Sequence, residues 1–143
     1  MPKLLALIAC EKVIVERSGS MSAISMLDHI YLPIVGAPPL ENTVIGYRWA
    51  VLAIWQKTPG ERDINYTPQI KITGPDGNNF GNPATKVLVK GGDDLKHKVY
   101  MELTTLHVGR EGSVKVLVWL EEDRAASGEY EFFIKHVWPA AKN

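Results

Sequence analysis

Residues 114–135 alternate in polarity with a period of two, interrupted by one polar stretch. Val114, Val116, Val118 and Leu120 share one parity, while Lys115, Leu117 and Trp119 share the other. After the break at 122–128, Tyr130, Phe132 and Ile134 alternate with Glu129, Glu131, Phe133 and Lys135. A strand turns successive side chains to opposite faces, whereas a helix repeats about every 3.6 residues. The segment therefore predicts two half-buried antiparallel strands, and the rest of the chain must supply partners for them.

The same alternation predicts strands over 4–16, 21–32, 44–56, 66–73, 84–90 and 97–108. Between them lie clusters such as 74–79 (GPDGNN), where proline presets φ and Gly and Asn accept positive φ. A change of phase near Glu11 and Lys12 predicts a bulge in the first strand. Pro68 has no amide donor, which places its strand at a sheet edge. The 44–56 strand is apolar on both faces, with Trp49, Val51, Ala53 and Trp55 on one and Ala50, Leu52 and Ile54 on the other. Such a strand is central and covered, or covered by a partner subunit. No stretch of useful length carries a helical period. The expected fold is all-β: an antiparallel β-sandwich of about eight strands, immunoglobulin-like or C2-like, forming one domain over residues 1–143. A β-barrel is the alternative, although a closed barrel leaves no edge for the Pro68 strand.

Four stretches carry a resemblance: 10–16 (CEKVIVE), 22–28 (SAISMLD), 69–77 (QIKITGPDG) and 128–134 (GEYEFFI). Together they resemble a family of short bacterial β-sandwich proteins of uncharacterised function. The resemblance implies the fold and carries no catalytic residues with it.

Sixteen basic and sixteen acidic residues cancel. That balance argues against nucleic acid, which calls for a basic stripe, and against an electrostatic membrane binder. It leaves little repulsion between copies. Cys10 is the one cysteine, so an intramolecular disulfide and a cysteine-built zinc site are excluded, and a reducing, cytoplasmic setting fits. The ending Leu7-Ile8-Ala9-Cys10 resembles a lipoprotein cleavage motif. Its apolar run covers only Leu4 to Ala9, short of the roughly 7–15 residues of a signal core. The expectation is a buried first strand with Cys10 as a small core residue.

The candidate chemistry is thin. Asp28 and His29 look like an acid-base pair, yet neighbours in a strand point to opposite faces. His97 and His107 mark the two ends of one strand, roughly 30 Å apart, and are expected to be strand-end or surface histidines. The serines lack a nucleophile-elbow motif, and Gly74, Gly77 and Gly81 lack phosphate-loop spacing. One rim of a sandwich would gather Glu61, Asp63, Asp93, Asp94, Glu122 and Asp123, where a hard cation needs converging oxygens. Asp63, Asp93, Asp94 and Asp123 are the metal candidates, weakened by the basic residues Arg17, Lys57, Arg62, Lys96 and Arg124 interleaved with them. No cofactor is expected.

Leu117, Trp119 and Phe133 fall on the parity opposite the core residues of the C-terminal hairpin and form the candidate interface. The functional expectation is a non-enzymatic protein-binding or structural module that self-associates as a homodimer or larger, with another protein as a possible partner. The alternatives are a calcium or carbohydrate module built on the rim loops, and an enzyme with a triad assembled across strands.

Overall fold

Val114, Val116, Val118 and Leu120 are fully buried, as are Phe132 and Ile134, so the alternation of the C-terminal hairpin sorts its side chains as expected. The structure, a computed structural model, describes residues 2–79, 85–89 (backbone only) and 95–138. Its strands are β1 (Lys3–Val15), β2 (Met21–Met26), β3 (His29–Pro33), β4 (Val44–Gln56), β5 (Pro68–Thr73), β6 (Thr85–Val89), β7 (Lys96–His107), β8 (Gly112–Leu120) and β9 (Asp123–Val137). A 3-10 turn at Pro59–Glu61 interrupts the β4–β5 connection.

The strands form two sheets, ordered β2-β1-β4-β7-β6 and β3-β9-β8-β5, which pack as a sandwich and do not close into a barrel. β5 lies at an edge and opens on Pro68, where the missing donor costs no ladder bond. The Trp49 ring meets the Phe132 ring edge-on at 5.4 Å between the layers. The Trp55 indole N–H donates to the Ala126 carbonyl at 2.9 Å, and that of Trp49 to the Thr105 carbonyl at 3.0 Å. Each large apolar ring is thereby buried without stranding its one polar atom. A Cβ at Gly128 would lie 2.3 Å from Leu4 Cδ2, so bare backbone lets β9 pass close to β1.

Three features depart from the sequence expectations. The 21–32 strand is two strands, because the chain crosses between the sheets at Leu27 and Asp28. Leu27 is buried in the core and its N–H donates to the Ala9 carbonyl, while the Asp28 carbonyl accepts from the Phe133 N–H. Ile24 and Met26 are exposed before the crossing and Ile30 packs against the core after it, so one parity serves opposite sides. Secondly, β3 joins β9 in parallel, His29 opposite Phe133, which makes the four-stranded sheet mixed. Thirdly, the register shift in β1 lies between Leu4 and Ala6. Near Glu11 the strand leaves β4 altogether: pairing with β4 ends at Cys10 opposite Ala50, and pairing with β2 continues to Val15.

Beyond that point the β1–β2 hairpin folds back. Lys98 of β7 pairs with Ile54, which pairs with Ala6. A straight β1 would carry the turn at Gly19 about 40 Å past Ala6. Yet Lys98 Nζ donates to the Gly19 carbonyl at 2.9 Å. Val99 and His97 point into the core, so Lys98 points out, and the hairpin lies across the outer face of the five-stranded sheet. Ser25, at φ 57°, sits in the paired strand beside the bend. Under the hairpin Ala50 and Leu52 are only 3% and 4% exposed, although they face away from the core. An open cleft of about 540 Å³ remains between Glu11–Val13 of the hairpin and the outward residues Arg48, Glu102 and Thr104. The two-sided apolar character of β4 is thus satisfied within the chain.

Candidate binding face on the four-stranded sheet

The outer face of the second sheet carries no such cover among the described residues, and its pleat fixes what it displays. Register places Gln69 beside Trp119, then Lys71, Leu117 and Glu129 in one row and Thr73, Lys115 and Glu131 in the next. The following row holds Ser113, Phe133 and His29, and beyond it Lys135 pairs with Tyr31. Leu117 and Phe133 are each 36% exposed between buried neighbours, and Tyr31 is 61% exposed between the half-buried Ile30 and Leu32.

Leu117, Trp119 and Phe133 therefore share one face, as their parity predicts, but Phe133 is set apart from the other two. The Lys115–Glu131 pair lies between them. Leu117 and Trp119 line a shallow hollow of about 300 Å³ with Lys71, Arg124 and Ser127. The Arg124 guanidinium lies 5.4 Å from the centre of the Trp119 ring, a cation-π contact that holds both side chains. Phe133 belongs to a different patch: it stacks on His29 at 5.5 Å, and His29 stacks on Tyr31 at 6.0 Å. Sequence reasoning missed His29, Tyr31 and Arg124. The first two become neighbours of Phe133 only through the parallel β3–β9 pairing, which no local pattern announces. Arg124 reaches Trp119 by folding back from just beyond the turn that joins β8 to β9.

Asp28 and His29 also correct an expectation. Their side chains meet, with His29 Nδ1 3.2 Å from Asp28 Oδ2. Asp28 sits in the crossing between sheets, so the alternation of a strand does not govern it.

The rim that sequence offered for calcium has other commitments. Glu61 accepts hydrogen bonds from the Tyr66 hydroxyl and from the hydroxyl and N–H of Thr58. These bonds, Tyr66 first and Thr58 next, hold the Glu61 carboxyl down at about 2. Burial and then the Glu61 carboxylate push the Tyr66 phenol up to about 12. Glu122 accepts from the Thr67 N–H at 2.9 Å and from its hydroxyl at 2.7 Å, which clips the β8–β9 turn onto the start of β5. Asp123 accepts from the Ala125 N–H at 3.1 Å, and Asp63 is exposed. Asp93 and Asp94 lie outside the described residues. Among the described residues no three His, Cys, Asp or Glu side chains gather as a metal site.

Two basic groups are buried behind this rim. Lys57 donates from Nζ to the carbonyls of Arg62 and Ile64, each at 2.9 Å, and so ties down the β4–β5 connection. His97 is 3% exposed rather than a surface group, lies between the Trp55 and Tyr66 rings, and has no partner on Nε2. Burial, and then the nearby Lys57 ammonium, lower its pKa and keep it neutral. Cys10 is buried in β1 between Met26 and Ala50, where desolvation pushes its thiol up. Its side chain faces away from the core between the sheets, and burial leaves it inert. No helix among the described residues is long and apolar enough to cross a membrane. No protein-family model matches the chain, and no curated protein matches it.

Proposed function

We propose that this chain is a non-enzymatic binding module that associates with protein, itself first, through the outer face of the four-stranded sheet. The observation that carries the reading is the contrast between the two outer faces: one is roofed by the β1–β2 hairpin, while the other leaves Leu117 exposed beside Trp119, and Phe133 and Tyr31 exposed in a second patch. Half-exposed aromatic and aliphatic side chains within a polar frame are the make-up of a contact surface, and Trp, Tyr and Arg are its usual energetic centres. A zero formal charge offers little resistance to self-association. The buried free thiol of Cys10 suits a reducing, cytoplasmic setting. A sugar is the rival occupant, since tryptophan faces stack on sugar rings. Arg124 already lies over the Trp119 ring, which favours protein.

Sedimentation equilibrium over a wide concentration range tests the reading. The expected result is reversible dimerisation that Trp119→Glu abolishes with an unchanged circular dichroism spectrum. A monomer throughout, up to millimolar concentration, would remove it.

A further inference from the structure

Resting on that reading, we infer the geometry of the pair: two copies meet face to face about a two-fold axis that runs along β8, in the plane of contact, so that β5 of each copy lies over β9 of the other. Two identical sheet faces can close on each other only about an axis within the plane of contact. With the two sheets aligned, that axis runs either across the strands or along them. Across the strands, β9 lies on β9 and Glu129 and Glu131 face like charge. Along β8, the flanking strands exchange. Lys71 and Glu129 flank Leu117 in the same row, one on each side, so Lys71 of each copy then faces Glu129 of the other. Thr73 faces Glu131 in the next row, and Lys115 meets its own equivalent on the axis, where a Glu131 from each copy flanks the two ammonium groups and offsets their repulsion. Leu117 and Trp119 meet their own equivalents on the axis, which buries both apolar residues of the hollow at its centre. Lys71, Leu117, Glu129 and Glu131 are all exposed in the single chain. Nearly aligned sheets are one of the two regular ways for β faces to pack.

The charge pattern gives an exacting test, because Lys71→Glu and Glu129→Lys each oppose like charges twice in a symmetric pair. Each variant alone is expected to associate at least about tenfold more weakly than the parent, with unchanged melting temperature. An equimolar mixture of the two restores opposite charges at both positions, so it is expected to recover parental affinity and to show a mixed pair in native mass spectrometry. The inference is overturned if the single variants associate like the parent, or if the mixture stays monomeric. Those outcomes leave the proposed function standing. A parent protein that is itself monomeric removes the function and this geometry together.

Discussion

The two outer faces of this sandwich start from the same pleat and end differently. On the five-stranded sheet, Cys10, Ala50 and Leu52 point away from the core and are nonetheless buried, because the β1–β2 hairpin returns across them and anchors its tip on Lys98. On the four-stranded sheet, Leu117 and Phe133 occupy equivalent outward positions and remain exposed. The difference lies in the connections. β1 outruns its pairing with β4, and the surplus length becomes a roof. β8 and β9 are joined by a tight turn and have no length to spare. An apolar outward residue therefore reports a need for cover, and the neighbouring connection decides whether the chain supplies it.

The comparison breaks most sharply by placing the same charge on each face. Leu52→Asp buries a carboxylate beneath the hairpin and is expected to cost about 3 kcal/mol or more in urea unfolding. Leu117→Asp is expected to change the stability of the monomer by about 0.5 kcal/mol or less while weakening association. Equal stability losses would mean that the hairpin gives no effective cover. A milder test removes only the clasp. Lys98→Met deletes the bond to the Gly19 carbonyl, with an expected loss of about 1 kcal/mol. Amide exchange should then accelerate between Val13 and Ala23 and stay unchanged in β8 and β9.

The smallest expected effect concerns pH. His97 has a lowered pKa in the folded chain, so the unfolded state binds the proton first as pH falls. Stability should be full above the unfolded value near 6.5 and decline as pH drops below it, levelling off once the folded chain is protonated too. His97→Gln should flatten the melting temperature between pH 7 and about pH 5 without altering association. The lowered carboxyls of Glu61 and Glu122 act in a separate window, where stability is lost as pH falls below their ordinary value near 4.5. An unchanged slope in the His97 variant would show that this residue is not the group responsible.

Parity proved sufficient for the core and insufficient for the faces. Val114 to Leu120, the edge position of Pro68 and the covered nature of β4 were all legible from local pattern. What roofed β4 was not, because the fold-back begins where β1 leaves β4 after Cys10, beside a positive φ at Ser25, and serine gives no sign of that conformation. The crossing at Leu27 and Asp28 was hidden because alternation continues through it while the strand changes sheets. Likewise, Leu117 and Phe133 share a parity, yet register separates them by the Lys115–Glu131 pair, and register belongs to two strands at once.

If copies pair through the four-stranded sheet as proposed, the roof over the other sheet also sets the valence of the particle. A slab with two adhesive sides stacks without limit, whereas a slab sealed on one side finishes at two. Lifting the hairpin would bare a second sticky surface and turn a self-terminating couple into a growing column. On that pairing its clasp to Lys98 would guard against fibre growth as well as brace the sheet beneath.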